Sequence, residues 1–345
     1  MAVRFKRSIK EIRLLDPTQG FKENLVKFEF RIDPLTRRRS RIADLKFSLI
    51  RPPDLEKLVE KSRKRPCPFC EENLEKMTPK FPPKFIPEGR VQVGEAIVFP
   101  NFMPYDQNNA VAIFSKEHFI GLSQFSEELL VNGFLASQSF LKRVYKANEK
   151  TKYFSINWNY LPPSGGSLVH PHLHLIADKD PSDHHGLLLK RGKRFWKKFK
   201  VNYWEDLINE EKKREERFLG ETGKVCWLLY FAPRGMMFDV MSIFVEKLSL
   251  LELSPSDFLD FARGLKRVFL YLKEKNLVSF NLTIYSGLKE KGYFWTHARI
   301  IPRFTIPPVD TSDVSFIGLL HGEPLSLMKP EDVCQEMRAF FKTLA

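Results

Sequence analysis

Short runs of apolar, β-branched and aromatic residues recur along this 345-residue chain, and one order of them occurs twice. The first copy holds Ala96-Ile-Val-Phe-Pro, Val111-Ala-Ile-Phe, Tyr153-Phe-Ser-Ile-Asn-Trp-Asn159 and His170-Pro-His-Leu-His-Leu-Ile-Ala177. The second holds Val225-Cys-Trp-Leu-Leu, Met241-Ser-Ile-Phe-Val, Ser279-Phe-Asn-Leu-Thr-Ile284 and His297-Ala-Arg-Ile-Ile-Pro302. Runs of this length and composition predict strands. Between the second and third run of each copy the apolar spacing becomes helical, which predicts helices over 127–147 and 255–273. Ser254-Pro-Ser-Asp257 has the form of a helix start, and Leu-Lys-Arg-Val falls in both helices, at 141 and 265. The chain therefore reads as a duplicated strand–strand–helix–strand–strand unit. That implies an α+β fold of two tandem lobes, with mainly antiparallel sheets and packed helices. Between the copies, 178–224 opens with turn residues and continues as a charged helix with a narrow apolar stripe, Trp204–Leu219. The expected division is an N-terminal lobe, 1–190, and a connector helix with a second lobe, 191–345.

Composition narrows the class. Hydrophobic residues make up 43% and charged residues 28%, as in ordinary soluble proteins. No run approaches the ~18 apolar residues of a membrane span, and Met1-Ala-Val-Arg-Phe-Lys-Arg is not the start of a signal peptide. A cytoplasmic protein with no membrane partner is expected. Four cysteines are too few for a disulfide scaffold. The net charge of +14 favours anionic partners. Its densest clusters are Arg37-Arg-Arg-Ser-Arg41 and Lys190-Arg-Gly-Lys-Arg-Phe-Trp-Lys-Lys198. Aromatics in the second cluster could stack on bases, but a solvated basic surface is the preferred reading, and nucleic acid is not the expected partner.

The chemistry-bearing residues are unevenly shared. Copy one has His118, His170, His172 and His174; copy two keeps only His297, with Leu248, Trp295 and Arg299 at the other three places. One active lobe and one supporting lobe follow. In His170-Pro-His-Leu-His174 the period-two alternation of a strand puts all three imidazoles on one face. The preceding Pro162-Pro-Ser-Gly-Gly-Ser167 offers small residues whose amides can approach an anion closely. Cys67-Pro-Phe-Cys70 has the spacing of a metal half-site; a redox pair and inert thiols are the alternatives. A closed zinc site needs four ligands, and His118 with one strand histidine would complete Cys2His2. His184-His185 are read as surface residues. Cys226 and Cys334 are read as buried inert thiols.

Together the Cys-x-x-Cys pair, His118 ahead of a His-Pro-His strand, and Asn159 upstream of His170 resemble galactose-1-phosphate uridylyltransferase, of the histidine triad superfamily. Asp33-Pro-Leu-Thr36 is similar to that family's Asn-Pro-Leu-Thr, and Phe99-Pro-Asn101 to its uridine-side strand. The resemblance implies a nucleotidyltransferase moving a nucleoside monophosphate between sugar phosphates through a covalent nucleotidyl-His172. It also implies one structural zinc on Cys67, Cys70, His118 and His170. Ser167, Gly165 and Gly166 would hold phosphate, Asn159 would steady the nucleotide, and Phe99 and Asn101 would line the base pocket. Nucleotide sugar and sugar phosphate become the expected partners, and a homodimer the expected assembly. The family's additional metal site lacks ligands here, with Leu188 and Arg299 beside His297, so no second metal is expected. His174 stands where the transferases carry Gln, and His there is the pattern of the superfamily's hydrolases, where it can assist a leaving group. A nucleotide-sugar or dinucleotide hydrolase or phosphorylase is the alternative enzyme. A zinc-containing nucleic-acid-binding protein is the alternative of another class.

Overall fold

A computed structural model describes residues 2–43, 54–287 and 292–342. The chain opens with β1 (Lys6–Asp16), β2 (Lys22–Ile32) and β3 (Arg39–Ile42), then α1 (Leu55–Ser62) and α2 (Glu71–Met77). The first repeat is β4 (Val91–Val93), β5 (Ala96–Pro100), β6 (Asn108–Ile113), α3 (Glu127–Ala147), β7 (Tyr153–Tyr160) and β8 (His172–Asp178). Two connector helices follow, α4 (Asp183–Phe199) and α5 (Tyr203–Arg214). The second repeat is β9 (Phe218–Thr222), β10 (Val225–Leu229), β11 (Val240–Phe244), α6 (Pro255–Glu274), β12 (Ser279–Tyr285) and β13 (His297–Arg303). The tail carries β14 (Thr305–Ile306), β15 (Thr311–Ser312), α7 (Phe316–Leu319), β16 (Leu325–Ser326) and α8 (Pro330–Lys342).

The two copies meet edge to edge. One sheet runs β4-β5-β6-β8-β7-β12-β13-β11-β10-β9, so the second half repeats the first in mirror order. Antiparallel β7 and β12 form the seam, and Asn157 opposite Thr283 lies at its centre of symmetry. This is an α+β fold with mainly antiparallel strands, as the duplicated pattern predicts, and the lobes are halves of a shared sheet.

Period-two alternation gives the sheet two unlike faces. One face carries Ile156, Trp158, Leu173 and Leu175 and their counterparts Leu282, Ile284, Ala298 and Ile300, all buried in a core that spans both halves. Helices α3 and α6 cover it. Each begins with a serine whose hydroxyl caps the first turn, Ser126 and Ser254. Rings cross the seam: Trp158 meets Phe280 edge-on at 5.1 Å, and Phe134 of α3 stacks on Phe258 of α6 at 5.9 Å. Gly264 is required here, because a Cβ there would lie 2.1 Å from the Trp227 ring. The opposite face is polar at its centre. On its second half, α4 and α5 bury it under Leu188, Trp204 and Leu207, with Phe294 from the segment before β13 packed among them.

The N-terminal strands attach through a buried ion cluster. Glu331 of α8 takes both guanidinium nitrogens of Arg31, at 2.9 and 2.8 Å, and also pairs with Arg217 at 2.5 Å. Burial alone would raise the Glu331 carboxyl, but Arg31 and Arg217 outweigh it and hold the group down at about 2. Glu331→Ala would leave two buried guanidiniums short of a counter-charge, and such losses cost ~3–5 kcal/mol. Denaturant unfolding of that variant is expected to show a loss of this order. Because the folded pKa is depressed, this contribution is present at neutral pH and lost as pH falls from about 4.5 toward about 2.

Candidate functional site

The polar face of the first half holds the strand histidines. His172 and His174 point to the same side of β8, with ring centroids 4.9 Å apart. Across β6, His174 sits opposite Val111, which in turn pairs with Phe99 on β5; across β7 it sits opposite Asn157. His172 Nδ1 lies 2.7 Å from the carbonyl oxygen of His170. A carbonyl can only accept, so Nδ1 carries the proton and Nε2 keeps its lone pair. Burial, reinforced by His174, pushes the His172 imidazole down to about 3, so it is neutral near pH 7. Nε2 makes no hydrogen bond among the described residues. The His174 ring is largely buried, and its Nδ1 has no partner there either.

A Cys2His2 cluster stands directly behind this strand. The candidate ligand atoms of Cys67, Cys70, His118 and His170 all lie within 4.8 Å of one another. Cys67-Pro-Phe-Cys70 folds as a tight turn, with Cys70 N–H donating to the Cys67 carbonyl, and Cys70 then starts α2. His170 donates from Nε2 to the Ser115 carbonyl at 2.9 Å, leaving Nδ1 toward the two sulfurs, 3.8 and 3.9 Å away. His118 sets Nδ1 3.2 Å from Cys70 Sγ and Nε2 against Ser62 Oγ. Each imidazole thus offers one nitrogen inward and anchors the other, the arrangement of histidine metal ligands. These four residues could hold a metal ion, and two thiols with two anchored imidazoles suit tetrahedral coordination. Burial and the adjacent Cys67 raise the Cys70 thiol to about 12, the opposite of what an attacking redox thiol needs. Phe69, inside the turn, sets its ring edge against both His170 (5.7 Å) and His172 (5.2 Å).

The loop before β8 is shaped by backbone crowding. Gly165 has φ +86°, and a Cβ on Gly166 would lie 2.9 Å from the Asn159 carbonyl and 3.0 Å from that of Leu161. Ser164 is buried, whereas Ser167 is exposed at the tip. Asn159 accepts from Asn281 Nδ2 at 2.7 Å, and Asn281 also donates to the Ser164 carbonyl at 2.8 Å. Arg303 donates to the Asn281 side-chain Oδ1 at 2.6 Å and pairs with Asp313. This brace from the second copy was missed in the sequence reading. Its only signal there was the polar alternation in Ser279-Phe-Asn-Leu-Thr. Asn281 also lines a cleft of about 220 Å³ with Arg234, Arg303 and Asp313. Phe99 is buried against Phe69 at 5.3 Å, and Asn101 is fixed by Asn109. Tyr105 lies 6.3 Å from the His174 ring.

No protein-family model matches the chain. An uncharacterized protein of Archaeoglobus fulgidus is 31% identical over 339 residues, covering 97% of this chain and 99% of its own, and the two belong to one family. An ADP-glucose phosphorylase from Arabidopsis thaliana, solved with bound ADP-glucose, superposes with a TM-score of 0.70 at 18% identity, covering 90% of this chain and 98% of that one. A GalT-like protein from the same plant gives 0.69 at 17%, with the same coverage. A uridylyltransferase gives 0.64 at 16%, covering 92% and 99%. The chain has the galactose-1-phosphate uridylyltransferase fold.

Within that fold the second copy carries a mirror of the histidine strand. His297 Nδ1 bonds to the Trp295 carbonyl at 2.9 Å, as His172 does to that of His170. Its ring is walled in by Trp204, Phe294 and Tyr285, with centroids 5.1 to 5.4 Å away. Arg299, in the place of His174, pairs with buried Asp239 at 3.6 Å. One expectation is corrected: His184-His185 are not surface residues. They open α4 rather than a loop, which turns both rings onto Tyr285, and His185 donates to the Ser286 carbonyl at 2.7 Å. Among the described residues no helix is long and apolar enough to cross a membrane. Elemental analysis of the purified protein is expected to give one thiophilic divalent metal per chain, and Cys67→Ser to lose it with a lower unfolding temperature.

Proposed function

We propose that this protein is a nucleotidyltransferase that moves a nucleoside monophosphate between sugar phosphates through a covalent nucleotidyl-His172. One observation carries the reading: the His172 tautomer is fixed by the His170 carbonyl, so Nε2 is a neutral nucleophile held in place before substrate arrives. Nε2 attacks the α-phosphorus of a nucleotide sugar. The P–N bond forms as the P–O bond to the sugar phosphate breaks, and that phosphate leaves with the electron pair. A second sugar phosphate then attacks the same phosphorus from the vacated side and restores the imidazole.

The metal on Cys67, Cys70, His118 and His170 is zinc in this reading, and it serves as a structural clamp on the strand. Gly165, Gly166 and Ser167 hold the phosphate oxygens through amides and hydroxyl as charge redistributes. Asn159, braced by Asn281, orients the nucleotide, while Phe99 and Asn101 line its base. Arg234 at the neighbouring cleft supplies a cation for the acceptor phosphate. The family resemblance adds a cytoplasmic homodimer to the proposal.

A second reading shares the intermediate but discharges it to inorganic phosphate or water. His174 in place of Gln favours it, since this imidazole lies beside His172 with Nδ1 unpartnered. The similar fold of an ADP-glucose phosphorylase supports it as well.

Incubation with α-phosphate-labelled UDP- or ADP-sugar is expected to leave acid-labile label on His172, and His172→Ala to abolish labelling and turnover. Normal turnover by that variant would remove both readings. His174→Gln is expected to raise transfer to sugar phosphate relative to phosphorolysis and hydrolysis, measured as the product ratio. An unchanged ratio would leave His174 without a role in discharge.

A further inference from the structure

Arg37 of the first basic cluster and three cations of the second, far apart in the chain, line one cleft that the proposed chemistry does not use. It has a volume of about 430 Å³, and its walls carry Arg4, Lys6, Arg37, Arg191, Arg194 and Lys198 without a single acidic side chain. None of these six forms an ion pair among the described residues, whereas Arg39 and Arg41, two and four residues beyond Arg37, both pair with Glu323. The local fold singles out Arg37. Asp33 Oδ1 accepts from Leu35 and Thr36 N–H, closing a tight turn that leaves Arg37 at φ +67° on the cleft wall. From α4 come Arg191, Arg194 and Lys198, spaced i, i+3, i+7 on one helical face, spanning roughly 10 Å along the axis. Phe195 and Phe199 share that face, with ring centroids 4.8 Å apart, and Phe199 is 39% exposed. The opposite wall is the N-terminal segment, pinned where Ala2 and Val3 N–H donate to Asp206.

We infer that this cleft binds a single-stranded nucleic acid, its phosphates on the six cations and a base against the Phe195–Phe199 pair. The three α4 cations alone are spread over roughly 10 Å of helix axis, more than the width of one phosphate group. The concave shape does not fit a flat bilayer, and a duplex keeps its base faces stacked and away from the phenyl rings. Cationic grooves with exposed aromatics are the usual means of holding single strands.

Fluorescence anisotropy of a short labelled oligouridylate with the full-length protein tests this. Three to six phosphate contacts predict a plot of log affinity against log salt with a slope between about −2 and −4. The triple variant Arg191→Ala, Arg194→Ala, Lys198→Ala is expected to flatten that slope by about 2. Phe199→Ala is expected to lower affinity at least ~5-fold with the slope unchanged. An unchanged thermal transition will show that both variants fold, and His172→Ala is expected to bind the oligonucleotide as the wild type does. The inference is overturned if the wild type shows no salt-dependent binding or the triple variant binds normally. It is equally overturned if duplex RNA, inorganic polyphosphate or phosphatidylglycerol vesicles bind as tightly as the single strand, or if His172→Ala abolishes binding.

Discussion

The hydrogen bond from His172 Nδ1 to the carbonyl of His170 is the interaction on which the site depends. It joins residues two apart where the chain enters β8, so it is present as soon as His172 takes its place in the sheet. It sets the tautomer, the ring plane and the direction of the free lone pair together. His170 supplies the accepting carbonyl from its backbone while its side chain belongs to the Cys2His2 cluster. A metal held there would fix the position of the acceptor as well as the strand. The coupling runs through the His170 backbone and one buried hydrogen bond.

The second copy shows what that bond does not provide. His297 has the same bond to Trp295 and the same buried, neutral imidazole. It differs in what covers it. Helices α4 and α5 lay Trp204, Leu207 and their neighbours over that half of the polar face, and Arg299 with Asp239 fills the remaining space. Among the described residues no Cys2His2 cluster stands beside His297. Duplication therefore yields two like backbone devices, the first beside His174 and the Cys2His2 cluster and the second beside Arg299 and Asp239. Through Asn281 the second half braces the loop and Asn159 of the first.

Much of this was readable from residue order. Strand, helix and repeat positions follow from local periodicity, and helices α3 and α6 fall where the apolar spacing puts them. The cysteine spacing and the alternating histidines mark their chemistry because ligand geometry and strand period are themselves local rules. Long-range packing was not readable. Nothing in Asn281 or Arg303 announces that β12 will pair with β7 and place them under the loop. His184-His185 look solvated until α4 is seen to dock on Tyr285. The convergence of Arg37 with Arg191 and Arg194 likewise depends on how the N-terminal strands sit against α4.

The account is tested most directly by the proton on His172. Nitrogen-15 NMR of histidine-labelled, metal-replete protein at neutral pH separates the two neutral tautomers and the imidazolium. The account predicts a neutral ring protonated at Nδ1. A ring protonated at Nε2 or a charged imidazolium would contradict it.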